Sequence, residues 1–286
     1  MKFVNLSGIW PPLERAAMRR LWRTIARRAP DRTAELTRRD CLILAPHPDD
    51  ETLGCGGLVL LKRKAGVPVH VAVVTDGAAT GAAGAARGMS RDDIVALRER
   101  ETVAACSLLG VARDHIRFLG FPDGALAAHG AALEADIAAL VDELSPSEIF
   151  VCASGDGHRD HVALARAVHR LHAEGRLGGA ALWEYPVWFW DFGSWRPERA
   201  SNKAGFIAGL RKAVRAARRL NAVAVDIGGF EQRKRAALDC HRSQTGTLGT
   251  EPGWDGLPAS FLEHFFRDRE LFFEIAGPQE KGSAAP

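Results

Sequence analysis

Five short apolar runs, each followed by a stretch of helical patterning or a turn, constrain what this 286-residue chain can fold into more than any other feature. The runs lie at 42–45, 69–74, 116–119, 149–152 and 181–184, and helical spacing is read over 56–65, 92–109, 131–144 and 162–172. A strand buried on both faces reads as a nearly continuous apolar run, and parallel neighbours need a long crossover between them. The alternation predicts an α/β fold of three layers, a mostly parallel sheet with helices on both faces in a Rossmann-like layout. In such sheets ligands gather at the carboxyl ends of the strands.

Two of those ends carry chemistry. His47-Pro48-Asp49-Asp50-Glu51 closes the first run and leads into Gly54-Cys55-Gly56-Gly57, read as a glycine-rich turn. Adjacent side chains diverge, so Asp49 and Asp50 take different jobs: one can ligate a cation beside His47 while the other faces a bound water as general base. Helix capping explains one aspartate and leaves the remaining polar groups without a role. The second cluster, Gly155-Asp156-Gly157-His158-Arg159-Asp160-His161, follows the fourth run. His158 and His161, three residues apart at a helix start, project from one side of its first turn and can reach one small volume. Imidazole and carboxylate donors without thiolate suit a catalytic zinc site with an open position, although Fe²⁺ or another divalent ion accepts the same set. Such a centre points to hydrolysis of an amide or ester. The glycine run lacks Gly-x-Gly-x-x-Gly spacing, which gives a nicotinamide-binding role little support.

These residues resemble the LmbE-like, or PIG-L-like, zinc N-deacetylases, which remove acetyl groups from N-acetylglucosamine-type sugars and related conjugates. Ala45-Pro46-His47-Pro48-Asp49-Asp50-Glu51 is similar to the family's Ala-His-Pro-Asp-Asp-Glu signature, with proline in place of alanine before the histidine. Gly157-His158-Arg159-Asp160-His161 is similar to its Gly-His-Pro-Asp-His loop, with arginine replacing proline. Further likenesses are Arg98-Glu99-Arg100-Glu101, the segment Leu119-Gly120-Phe121-Pro122-Asp123-Gly124, and Lys234, His241, Ser243 and Gln244 near the end of the match. The resemblance spans residues 40–244. It implies zinc held by His47, Asp50 and His161, with Asp49 as general base and His158 beside the metal, stabilising the developing oxyanion or the leaving amine. It also implies that Arg98 and Asp123 contact the sugar.

Plainer readings stand beside these roles. Arg98 sits in a charged run that suits a solvated helix face, and Asp123 between proline and glycine is favourable turn chemistry. Glu51 either orients His47 or favours a helix N-terminus, and His241 either supports the site from behind or is simply a partly buried histidine. The aromatic segment 183–190 offers faces for a sugar ring but reads more simply as core. Residues 77–90, rich in alanine and glycine, are a candidate lid.

Composition bounds the rest. Net charge is only +3, without aromatic-basic interleaving, so the expected partner is a small-molecule or glycoconjugate substrate and not nucleic acid. Five scattered cysteines suggest neither a disulfide framework nor a thiolate metal site, and Cys55 reads as a small packed thiol. The N-terminus lacks a secretory pattern and no run approaches the ~20 apolar residues that span a bilayer, which places the protein in the cytoplasm. Residues 1–38 are expected to form a basic, amphipathic arm packed on a deacetylase domain at 39–276, which carries an insertion at about 186–220, with 277–286 as a tail. Within that arm, Leu13, Met18, Leu21, Trp22 and Ile25 form a stripe over 13–28, suited either to a membrane surface or, more simply, to the domain itself. The basic helix expected over 203–219 can face anionic headgroups or a nucleotide-diphosphate sugar, or be plainly solvated. A homo-oligomer is compatible with all of this.

Overall fold

In the computed structural model, the described residues are 10–80, 88–197, 203–246 and 256–277. Seven strands form one sheet: β1 (Cys41–Ala45), β2 (Val69–Thr75), β3 (Ile116–Phe121), β4 (Glu148–Cys152), β5 (Ala181–Tyr185), β6 (Ala222–Asp226) and β7 (Arg269–Ile275). The longer helices are α1 (Trp10–Ala26), α2 (Asp50–Lys64), α3 (Arg91–Leu109), α4 (Gly130–Leu144), α5 (Arg159–Ala173), α6 (Lys203–Ala217) and α7 (Glu231–Leu238). Strand order is β3-β2-β1-β4-β5-β7-β6. The first five are parallel, with Ile43 of β1 opposite Val71 on one side and Phe150 on the other, and β7 runs antiparallel to both β5 and β6. Every residue of β1 and β4 is buried, which is why β1 and residues 149–152 of β4 read as unbroken apolar runs, while Glu148 is buried against Lys62.

This topology positions the site. From β1 the chain crosses through α2 to β2, and from β4 through α5 to β5 on the other side, so the order reverses between the two central strands. A crevice opens at the carboxyl ends of such a pair. The loops His47–Asp49 and Ala153–His158 both leave the sheet there.

The structure departs from the sequence reading at the glycine run. Gly54, Gly56 and Gly57 lie inside α2, which begins at Asp50. They are needed for close approach: a Cβ on Gly54 would stand 2.1 Å from the Tyr185 ring, and one on Gly57 would stand 2.6 Å from Ile227. Beside them the buried Lys234 Nζ donates to Leu53 O and pairs with Glu270 Oε1, both at 2.7 Å, while Glu270 accepts the N–H groups of Gly57 and Leu58. Glycine in mid-helix costs about 0.5–1 kcal/mol relative to alanine, but overpacking a filled interior costs about 1–3 kcal/mol. Gly54→Ala is therefore expected to destabilise the protein despite its better helix propensity. A thermal midpoint at or above that of the parent would show that Tyr185 gives way freely.

β6 and β7 are the two strands absent from the sequence reading. β7 mixes Phe272 and Phe273 with Arg269, Glu270 and Glu274, and Glu270 is satisfied only by Lys234 and the backbone of α2. In α1, Met18, Leu21, Trp22 and Ile25 enter the core, while Leu13, grouped with them by spacing, is 48% exposed. The aromatic segment is mostly core as well, with Tyr185, Phe189, Trp190, Phe192 and Trp195 buried and only Trp188 half-buried. Of the candidate lid, residues 81–87 lie outside the described residues. No helix among the described residues is long and apolar enough to cross a membrane.

Candidate metal centre

β1 ends against β2, where Thr75 donates both its N–H and its hydroxyl to Pro46 O, so the step into His47 is fixed. The chain then turns so sharply that Asp49 adopts φ 118°, a left-handed conformation rare for any residue but glycine. Strain of this kind costs on the order of 1–3 kcal/mol and persists where the surroundings enforce it. Here Glu51 Oε2 accepts the Asp49 N–H at 3.0 Å, and Glu51 Oε1 in turn takes Thr52 Oγ1 and His241 Nε2. Both Glu51 and His241 are fully buried. Glu51 thus fixes the backbone of Asp49 and does not face His47. His241 is its partner, with no surface exposure.

The capping alternative for the aspartates fails on geometry, because the Asp49 side chain, at the N-cap of α2, makes no capping hydrogen bond. Asp50 turns inward instead. Its Oδ2 accepts the His47 N–H at 3.0 Å and lies 3.2 Å from both His47 Nδ1 and His161 Nε2. A tetrahedral shell at the zinc–nitrogen distance has edges of about 3.3 Å. The Nε2 of His161 is buried and, among the described residues, has no well-aligned hydrogen bond beyond its approach to Asp50, the position of a donor atom that a cation satisfies. Nitrogen and carboxylate donors at this spacing fit a divalent metal.

Each imidazole is held from behind. His161 Nδ1 pairs with Asp156 Oδ2 at 2.9 Å, and Asp156 is itself clamped by the N–H groups of Val187 and Phe189 beyond β5. His47 Nε2 lies 3.3 Å from Asp123 Oδ1 and 3.3 Å from Asp160 Oδ2. Asp160 accepts the Gly124 and Leu126 N–H groups, tying the start of α5 to the loop after β3. Partners of this type fix the ring orientation of ligating histidines. Burial disfavours charge on His47, yet its hydrogen bonds to the carboxylates of Asp123, Asp160 and Asp50 outweigh it and raise its pKa to about 10. His161 is likewise raised against its burial, by Asp50 foremost. The carboxylates therefore favour positive charge in this volume, and a bound cation would displace those protons.

Asp49 has a different environment. Burial and the adjacent charge of Asp50 raise its carboxyl to about 7, with Arg98 and His241 pulling the other way. His158 completes the cluster: its ring meets those of His47 and His161 edge-on at 4.7 and 5.2 Å. His158 Nδ1 accepts the Asp160 N–H, which leaves Nε2 as the donor. Ring nitrogens of His47, His158 and His161 all lie within 4.8 Å of one another, as do atoms of His47, Asp123 and Asp160. Trp188 stacks 6.2 Å from His158 and is the member of the aromatic segment that reaches the site.

The two residues expected to contact a sugar both make hydrogen bonds within the protein. Arg98 is only 2% exposed, which rules out a solvated helix face, and its guanidinium donates to Gly77 O and Pro48 O. It binds the loops after β1 and β2 together, 4.0 Å from Asp123. Asp123 spends one oxygen on His47 and the other on the Ala79 N–H. Both therefore tie loops of the site together. Asp156 and Asp160 received no role from the sequence, which also gives no sign that Glu51 pairs with His241. Besides His161, Asp156 has its partners about thirty residues away, at Val187 and Phe189.

Known proteins resemble this chain in sequence and in fold. Residues 42–172 match the family described as "PIG-L: GlcNAc-PI de-N-acetylase". The chain is 37% identical over 134 residues to a probable N-acetyl-alpha-D-glucosaminyl L-malate deacetylase 2 of Bacillus cereus, covering 46% of this chain and 60% of that protein. It is 28% identical over 243 residues to a 1D-myo-inositol 2-acetamido-2-deoxy-alpha-D-glucopyranoside deacetylase of Mycolicibacterium vanbaalenii, covering 71% of this chain and 80% of that one. The chain spans about three-fifths of the length of the Bacillus relative. Its fold is shared with the zinc-inhibited form of teicoplanin deacetylase Orf2, at a TM-score of 0.61 and 18% identity over 85% of this chain and 100% of the other. Residues 42–172, which contain every member of the cluster from His47 to His161, are therefore similar to a PIG-L family domain.

Proposed function

We propose that this protein is a zinc-dependent hydrolase that removes the acetyl group from an N-acetyl amino sugar within a glycoconjugate. The observation that carries the reading is Asp50 Oδ2, placed 3.2 Å from both His47 Nδ1 and His161 Nε2, with the carboxyl of Asp49, whose backbone is strained, near enough to feel its charge. The relatives named above act on acetylated glucosamine derivatives, which supports the substrate class.

In this reading His47, Asp50 and His161 hold the ion. Bound there, zinc supplies Lewis acidity toward the amide carbonyl and lowers the pKa of a water to about 7. Asp49 accepts the proton of the attacking water at its carboxylate. As the carbon–nitrogen bond breaks, the same group returns that proton to the departing nitrogen, giving acetate and a free amine. His158 points its Nε2–H at the oxygen that gains charge, a donor role worth about 2.7–4 kcal/mol in comparable sites. Arg98, Asp123, Asp156 and Asp160 keep these groups in place without touching the amide.

The direct test combines metal analysis with acetate release from a panel of N-acetylglucosamine conjugates. A bound divalent ion and stoichiometric amine release are expected; their absence across the panel would end the enzyme reading. Within that assay His158→Ala should lose about 10²–10³ in turnover with the metal retained. Loss of metal in this variant would move His158 onto the ion.

A further inference from the structure

The small net charge of +3 conceals a strong asymmetry. Residues 10–28 contain six arginines and one glutamate, and residues 203–219 contain six lysines and arginines and no carboxylate. These two segments together carry eleven net positive charges, so the rest of the chain carries a net of eight negative ones. In the fold the two halves of this charge meet, because α6 packs on α1.

The inward sides of both helices are occupied. α1 buries Met18, Leu21, Trp22 and Ile25, and α6 buries Gly209 and Ala213, with Gly209 so close to Phe192 that a Cβ would stand 3.0 Å from its ring. All twelve basic side chains except Arg19 are exposed. Glu14 is taken by Arg196 and Glu263 by Arg19, and none of the exposed cations has a carboxylate within 4.0 Å among the described residues. Arg267, stacked over Trp22 beneath the face, reports the same field: its pKa is lowered by burial and further by Arg23 and Arg19, against Glu263.

One end of this face is apolar. Leu13 on α1 and Ile207 on α6 are 48% and 39% exposed, two of the three large apolar side chains so exposed among the described residues. Both lie near helix starts that pack on the segment after β5, where Glu14 meets Arg196 and Phe206 stacks on Phe192 at 5.2 Å. That segment borders the metal centre, since Ser194 Oγ accepts the Gly157 N–H beside His158.

We propose that the α1–α6 face docks the protein on an anionic lipid bilayer. Its cations meet headgroup phosphates, and Leu13 and Ile207 enter the interface at the end nearest the site. An exposed basic surface with aliphatic side chains at one end suits lipid. Single-stranded nucleic acid is read by exposed aromatic faces, and here Trp22, Phe192 and Trp195 are buried. The apolar stripe of α1 is spent in the core, so attachment is electrostatic and reversible. The inference stands apart from the hydrolase reading, because it requires no turnover.

Sedimentation of the full chain with vesicles tests it. Association is expected with phosphatidylcholine–phosphatidylglycerol vesicles at about 0.1 M salt, with release near 1 M, where screening shortens to roughly 3 Å. Vesicles of phosphatidylcholine alone should not bind. Replacing Arg211, Arg215, Arg218 and Arg219 by glutamine should lower partitioning about a hundredfold or more with an unchanged thermal midpoint. A second set, Arg15, Arg20 and Arg27 to glutamine, should act in the same direction from the other helix. Leu13→Ser with Ile207→Ser should weaken binding several-fold while leaving its salt dependence intact. Failure to bind anionic vesicles, equal binding to neutral ones, or full binding by both glutamine sets would overturn the proposal. Capture of duplex or single-stranded nucleic acid under conditions where vesicles are not bound would do the same.

Discussion

Asp49→Asn is expected to keep the metal and to lower amide hydrolysis by about 10²–10⁴-fold. The substitution is clean for a reason specific to this fold. Asparagine tolerates the left-handed backbone better than most residues, so φ 118° and the hydrogen bond from the Asp49 N–H to Glu51 both survive. What disappears is a group able to take and return a proton, held near neutrality by burial and by Asp50. Metal content and turnover measured on the same preparation separate the two possibilities. Near-normal turnover would remove Asp49 from the proton-transfer role and leave only the metal-binding part of the reading.

His47→Ala and His161→Ala are expected to lose most of the bound ion, since two donors are left where three are needed. His161→Ala also strands Asp156, a buried carboxylate whose pKa burial already raises. His47→Ala leaves Asp123 and Asp160 facing each other without the imidazole between them. Thermal unfolding with and without added zinc reads out folding and metal binding together. A ligand at a hundred times its dissociation constant stabilises by about 2.7 kcal/mol, so the parent midpoint should rise on adding zinc. The variants should melt lower and show no zinc-dependent rise. Full zinc occupancy in both would mean that the wrong donors have been named.

Much of the site was readable before any fold was known, because its chemistry is concentrated in two short segments. His47, Asp49 and Asp50 are consecutive or nearly so, and His158 and His161 share one helical turn. Local spacing therefore carries strong information about them, and the apolar runs before each segment say that both sit at strand ends. Arg98 shows where this kind of reading fails. Its neighbours in sequence are charged and predict a solvated helix face, yet its guanidinium is buried on the carbonyls of Pro48 and Gly77. The glycine run fails similarly, since glycine in a sequence suggests a turn while here it admits Tyr185, Lys234 and Ile227 against a helix.

What the sequence by itself determined is whatever depends on neighbours along the chain: the alternation of buried strands and helices, the placement of histidine and carboxylate at two strand ends, and the apolar stripe of α1. The tertiary structure alone decided what depends on contacts across long separations. Asp156 reaches Val187 and Phe189, Glu51 reaches His241 across 190 residues, and Glu270 reaches the backbone of α2 across more than 200. The same is true of the joining of two basic helices, distant in sequence, into one face. Periodicity carries the first kind of information because a helix or strand repeats over a few residues. A buried polar group must instead find its partner wherever the packed chain brings one, and no local pattern encodes that place.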